Sequence, residues 1–156
     1  MAKSRVGKDF IGVGGGALIV NDQGQILLLK RSSKCRNEAG FWSKPGGTLE
    51  FGEKLEDMIR RECLEEIGVE IEIVEYLTHT EHFVEDQNEH WVSFNYLVKI
   101  ISGEPTNLEP KRHDEIGWFD LSDLPDKLSQ PVVDSLEFLD KKDLCQKTSK
   151  LRSKSK

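Results

Sequence analysis

Between Gly47 and Val69 the chain reads GTLEFGEKLEDMIRRECLEEIGV, and its acidic residues Glu53, Glu62, Glu65 and Glu66 are the ones whose spacing suggests chemistry. Wound as a helix at about 100° per residue, residues 53 to 67 put Leu55, Met58, Ile59, Cys63 and Ile67 along one broad apolar arc. Glu62 and Glu66 fall inside that arc, with Glu65 on its edge. An ordinary amphipathic helix turns its carboxylates to water. Two like charges four residues apart on a buried face repel each other and lose hydration, so they call for a cation or hydrogen-bond donors. The spacing asks for a metal.

The flanking residues must position that helix. Pro45, Gly46 and Gly47 form a sharp turn into the acidic segment, Phe51 and Gly52 precede a helix predicted from about Lys54 to Ile67, and Gly68 is placed to cap its C-terminus. Upstream, Ala17 to Val20 and Gln25 to Lys30 are β-compatible runs separated by Asn21 to Gly24, which predicts a hairpin, and Arg31 to Trp42 is a polar loop. Downstream, Val69 to Thr80 alternates as a strand, Glu81 to Glu89 is polar and predicts a loop, and strands follow at His90 to Ile101 and around Ile116 to Phe119. Val132, Val133, Leu136 and Leu139 share a face of a second helix over Pro131 to Lys141. Hairpins mixed with helices point to an α/β (α+β) fold, a mixed sheet flanked by helices, more than to a doubly wound parallel sheet. The Gly14 to Gly16 run lacks GK[ST] and enters a strand, so close packing explains it better than a phosphate loop.

A chain of 156 residues with 37% hydrophobic content suits one domain, taken as residues 10–142, with an extension at 1–9 and a basic tail at 147–156 whose composition predicts disorder. A net charge of −6 disfavours a surface that grips nucleic acid. Cys35, Cys63 and Cys145 are widely separated, which indicates free thiols in a reducing cytosol rather than a disulfide framework or zinc knuckle. Glycines interrupt the apolar run after Ile11, and no run approaches the roughly 20 residues that span a bilayer. The expectation is a cytoplasmic protein with no membrane partner.

Gly47, Glu53, Arg61, Glu62, Cys63, Leu64, Glu65, Glu66, Ile67, Gly68 and Val69 together resemble the signature of the Nudix hydrolases, Gx5Ex7REUxEExGU. Every fixed position matches, and Cys63 stands where a bulkier aliphatic residue is usual. The approach Leu27 to Arg31 and the closing Trp118, Phe119, Leu121 and Leu124-Pro125 extend the resemblance over residues 10 to 140, and it is strongest to the MutT-type nucleotide diphosphatases. The resemblance implies an α/β/α sandwich and hydrolysis of a nucleoside diphosphate linked to a further group.

The resemblance also implies a site. Pyrophosphate charge must be offset where it develops, and Mg2+, with Mn2+ as a substitute, does so through oxygen ligands. Glu62 and Glu66 would be the leading ligands, Glu65 would share the cluster, and the carbonyl of Gly46 or Gly47 would complete it. Arg61 would orient Glu53 or the motif loop. The general base is left open among Glu62, Glu65 and an outside carboxylate. Glu109 would be an extra acidic ligand, with Glu115 its competitor. Arg31, Lys34 and Lys44 would neutralise phosphates, and Phe41, Trp42, Phe83, His90, Trp91 and Ser93 would frame a base. His79 and His82 at a strand end should point apart, against zinc. The substrate would be a small nucleotide, a dNTP, NTP or oxidised nucleotide such as 8-oxo-dGTP, releasing a monophosphate. The alternatives are an NDP-sugar, ADP-ribose or a coenzyme A derivative, and a non-catalytic nucleotide-sensing module. A homodimer is compatible with the same reading.

Overall fold

The computed structural model describes the backbone of residues 3–153, with side chains through residue 143. In chain order the elements are β1 (Gly12–Ile19), β2 (Ile26–Arg31), β3 (Trp42–Ser43), β4 (Gly46–Thr48), α1 (Leu55–Ile67), β5 (Glu70–Val84), β6 (Glu89–Ser102), β7 (His113–Phe119) and α2 (Gln130–Ser153). They build two sheets, one ordered β4-β1-β6-β5 and the other β3-β2-β7. Strands β1 and β6 run parallel and the other pairings are antiparallel, so the larger sheet is mixed, as expected.

Strands β1 and β2 are apolar at nearly every position because both of their faces are covered. Ala17, Ile19, Leu27 and Leu29 pack with Met58, Ile59, Cys63 and Ile67 of α1, in a cluster that continues through Val69, Ile71, Tyr96 and Val98. Leu18, Ile26 and Leu28 turn the other way and pack with Leu77 and with Val132 of α2. The two helices therefore lie against opposite faces of the strands. Gly68 ends α1 as predicted, in the left-handed conformation at φ 71°, with its N–H donated to the Leu64 carbonyl at 3.0 Å.

Three expectations are corrected. The turn at residues 21–24 forms, with the Asn21 Oδ1 accepting the N–H groups of Gln23 at 3.1 Å and Gln25 at 2.9 Å, but β1 and β2 do not make a hairpin. Beyond the single Val20–Ile26 bridge they enter different sheets, because both hydrogen-bonding edges of β1 are already taken by β4 and β6. The polar stretch expected as a loop from Glu81 to Glu89 is mostly strand. Register pairs such as Glu81–Val92 and Phe83–His90 extend β5 to Val84, leaving a 3-10 turn at Glu85–Gln87. Finally, the backbone of α2 continues through Ser153, across much of the tail whose composition predicts disorder; Lys, Gln, Leu and Arg are good helix formers. Residues 154–156 of that tail, and the side chain of Cys145, lie outside the described residues.

The glycines of β1 serve close approach. A Cβ at Gly14 would come 2.5 Å from the Gly47 carbonyl oxygen, and one at Gly16 would come 3.0 Å from Lys44 Cε. This bare strand lets the short β4 lie tight beside it, and β4 carries the turn into the acidic helix.

Candidate active site

The helix face deduced from spacing is the face that is buried. Glu62 is 7% exposed and Glu66 2%, among Met58, Ile59, Cys63 and Ile67. Glu65 lies outside that face, with a half-exposed side chain. Both buried carboxylates lie against the main chain of β4. Glu66 Oε2 accepts the Gly46 N–H at 3.1 Å, and a Cβ at Gly47 would overlap the Glu62 carboxylate. Residue 47 must lack a side chain for Glu62 to sit where it does.

Burial sets the electrostatics of the pair. It pushes the Glu66 carboxyl up to about 8, a rise opposed by the Gly46 N–H and reinforced by Glu62 and Glu109. Glu62 is also raised by burial, with the neighbouring Arg61 pulling it back. Arg61 is a hub. Its Nε and Nη2 clasp both oxygens of Glu53 at 2.7 and 3.0 Å, Nη1 donates to Glu62 at 2.9 Å and Glu65 at 3.3 Å, and Nη2 reaches the Thr48 carbonyl at 3.3 Å. The guanidinium holds the Glu53 carboxyl below its ordinary value. Arg61 thus joins the start of the motif to its centre.

The loop at 104–112 closes the site on its other side. Thr106 N–H donates to the Ile67 carbonyl at 3.0 Å and Leu108 N–H to the Glu66 carbonyl at 2.9 Å, which ties the loop to the end of α1 and brings Glu109 close enough to raise Glu66. Glu109 Oε2 accepts from Arg112 at 3.2 Å. Glu115 sits elsewhere, paired with Lys30 at 2.8 Å on β2 and β7.

These residues satisfy a metal test in part. Glu66 is buried with one backbone donor, and the Arg112 charge offsets its burial only in part, while the carboxylates and carbonyls around it offer oxygen, which suits a hard divalent cation. Among the described residues no three His, Cys, Asp or Glu side chains converge into a closed cage. Oxygen ligands of this kind suit a hard divalent cation that takes one or two carboxylates from a protein.

A cleft of about 490 Å³ runs along β1 and β4, lined by Gly14, Gly15 and Gly16; it meets the acidic helix only through Gly46 and Gly47, which line it and lie against Glu66 and Glu62. Arg31, Trp91 and Ser93, expected to touch substrate, all line it. Four other residues expected to touch substrate are engaged elsewhere. Lys44 borders the cleft, but it is 7% exposed and its ammonium is spent on Asn95 Oδ1 at 2.5 Å, Ser135 Oγ at 2.7 Å and the Pro131 carbonyl at 3.1 Å. Burial pushes this lysine well below its ordinary value, partly countered by Asp134. Trp42 packs edge-on against Phe119 at 4.8 Å, in the cluster beneath α2. Phe83 and His90 stack on each other at 4.3 Å and border a separate depression beside the N-terminal segment. For the three rings the strand pairing, not the residue type, decides which side each faces.

Sequence reasoning missed Arg36, Asn37, His82, Gln87 and Arg112, all of which line the cleft. Arg36 and Asn37 belong to a polar loop with no periodicity, and Arg112 stood three residues from the suspected Glu109. His79 and His82 do part as expected: His79 lies beside Tyr76 and Phe94, and His82 faces the cleft.

The NUDIX domain family matches residues 11–139. A mouse 8-oxo-dGDP phosphatase is 28% identical over 115 residues, covering 72% of this chain and 33% of that protein. An ADP-ribose pyrophosphatase from Methanocaldococcus jannaschii is 31% identical over 107 residues, covering 69% of this chain and 61% of its own length. The chain thus spans about a third of the mouse relative and under two thirds of the archaeal one. The crystal structure of a MutT NUDIX hydrolase from Burkholderia pseudomallei superposes with a TM-score of 0.77 at 43% identity, covering 82% of this chain and 97% of that one.

Proposed function

The chain belongs to the Nudix hydrolase family and is of the MutT type, and from that premise we propose that it hydrolyses a pyrophosphate bond of a small nucleotide, a dNTP, NTP or oxidised nucleotide, releasing a nucleoside monophosphate. The observation that carries the reading is the pair of buried carboxylates, Glu62 and Glu66, held against Gly46 and Gly47, whose main chain also lines a cleft wide enough for a nucleotide. Neither carboxylate stabilises the fold by facing the core: Arg61 offsets part of the cost at Glu62, and Glu66 has one backbone donor.

Glu62 and Glu66 would hold Mg2+ or Mn2+, with Glu109 and the Gly46 main chain beside them. Bound there, the metal would neutralise pyrophosphate oxygens and make a coordinated water more acidic. Arg61 orients the carboxylates. It holds Glu53 through both oxygens, and it steers Glu62 and Glu65 through single contacts. Glu53, neutralised in that clasp and depressed by it, is a brace for Arg61 rather than a base. Glu65 is the more exposed carboxylate, engaged by Arg61 through one oxygen, and it is our choice for taking the proton of the attacking water. Arg31, whose Nε alone is tied to the Asn37 carbonyl, is the cleft cation placed to meet phosphate, and Trp91 with Ser93 would meet the base.

A second reading changes the leaving group: an NDP-sugar, ADP-ribose or a coenzyme A derivative. The cleft is open, and a relative named ADP-ribose pyrophosphatase supports the second of these. The deciding experiment is turnover of a panel of NTPs, dNTPs, 8-oxo-dGTP, ADP-ribose, NDP-sugars and coenzyme A with Mg2+, products identified by chromatography. Release of a monophosphate from nucleoside triphosphates at the highest kcat/KM supports the first reading. A preference for ADP-ribose or an NDP-sugar transfers it to the second, and no turnover with any divalent metal refutes both.

A further inference from the structure

Behind the outer wall of the cleft lies a carboxylate that takes no part in the chemistry above. Glu89 opens β6 with a side chain only 8% exposed, and three hydrogen-bond donors and one further cation converge on it. They are the Arg36 guanidinium in an ion pair, the Trp91 indole N–H at 3.1 Å, the Asn37 amide at 3.4 Å and the Lys8 ammonium at 3.9 Å. Arg36 is held a second time, donating through Nε to Gln87 Oε1 at 2.5 Å, while Gln87 returns a bond to the Arg36 carbonyl at 3.3 Å. One buried charge thus joins the loop after β2, the β5–β6 turn, the N-terminal segment and the aromatic wall of the cleft.

The N-terminal segment adds the backing of that wall. Gly7, at φ 81°, accepts the His90 N–H at 2.7 Å, and a Cβ there would come 2.5 Å from Trp91 Nε1. The indole therefore lies flat on Gly7 and on Gly12, where a Cβ would overlap it. Gly7 precedes the residues that match the family, 11–139, so this backing is supplied from outside the matched domain. A buried carboxylate that lost one donor would keep its desolvation cost, so the donors are held as a set.

We propose that Glu89 is a positioning residue that fixes Trp91 and the Arg36–Asn37 loop at a set distance from the glycine floor of the cleft, and so determines how tightly and how selectively the nucleobase is held. The proposal rests on the cleft being the nucleotide site. Glu89 stands apart from the acidic helix, behind Trp91, so loosening it changes binding of the base and leaves the phosphate chemistry alone.

The test compares wild type with Glu89→Gln and Arg36→Gln. Arg36 is 63% exposed, so its replacement leaves a folded protein. It lines the cleft itself, so a loss there counts for the proposal only where Glu89→Gln, outside that lining, shows the same loss. Affinity for an α,β-methylene dNTP analogue with Mg2+ is measured by calorimetry, and kcat and KM are measured on the four dNTPs. We expect analogue binding to weaken about tenfold, as loss of one charge-assisted contact predicts. KM should rise in proportion, kcat should stay within about twofold, and the spread of kcat/KM across the four bases should narrow. Unchanged affinity and spread in Arg36→Gln, or a loss confined to kcat, overturns the proposal. Wild type that hydrolyses dNTPs with the variants unaltered refutes the positioning role alone, whereas wild type that binds no analogue refutes the nucleotide reading with it.

Discussion

Lys44→Met separates the two roles a lysine beside the cleft can have. The ammonium makes three hydrogen bonds in the interior, to Asn95, Ser135 and the Pro131 carbonyl, close to the Thr80–Asp134 bond at 2.6 Å. Methionine keeps the apolar stem beside Gly16 but strands those acceptors. Removing one partner from a buried charged network costs about 3–5 kcal/mol, and relief of the lysine's own desolvation returns part of it, so a net loss of about 2–4 kcal/mol is expected. For a chain of this size that lowers Tm by roughly 5–15 °C. Urea unfolding measures the stability, and calorimetry with an α,β-methylene dNTP measures the affinity of the folded fraction, which should stay within about twofold of wild type. Stability within about 0.5 kcal/mol of wild type, together with a tenfold loss of affinity, would show that Lys44 reaches phosphate after all and would refute the burial argument.

Gly47→Ala puts a methyl group into the Glu62 carboxylate and should cut kcat by ~10²-fold or more while the circular dichroism spectrum is unchanged; activity within threefold would mean Glu62 is not held there. Glu109→Gln should raise the Mg2+ concentration needed for half-maximal rate, read from a metal titration, with little change in Tm, since Glu109 is partly exposed and, among the described residues, paired with Arg112. His113 is 5% exposed, its Nδ1 finds no partner, and burial, aided by Arg112 and Arg31, pushes it down to about 4 from 6.5. Between those values the unfolded chain binds the proton and the folded chain does not. Stability should therefore fall as pH drops from about 6.5 to about 4, by at most about 3 kcal/mol, and level off below. His113→Asn should flatten that part of a urea-midpoint against pH curve.

The acidic helix was legible because its evidence is local. The 3.6-residue period placed Glu62 and Glu66 among apolar neighbours, and Gly68 marked the end of α1 at the right residue. Arg61 could be assigned to Glu53 from the motif, and the structure gives that pair both contacts. What failed was non-local. Nothing in residues 17–30 reveals that β4 and β6 occupy both edges of β1, so a turn with hairpin chemistry instead connects two sheets. Trp42, Phe83 and His90 were as plausible as Trp91 by residue type; strand register decides that Trp91 lies across Gly12 and lines the cleft. Lys44 carries no sign in its neighbours that Asn95 and Ser135 await it, 51 and 91 residues away. Glu89, in a polar stretch that composition assigned to a loop, is the buried junction of four segments for the same reason.

Glu62 and Glu66 should serve a metal-dependent hydrolysis, and turnover of dNTPs with Mg2+ by Glu62→Gln and Glu66→Gln beside wild type tests this most directly. Each variant should keep the wild-type circular dichroism spectrum and lose ~10²-fold or more in kcat, because glutamine keeps the shape and removes the charge. Wild-type rates in both folded variants would contradict it.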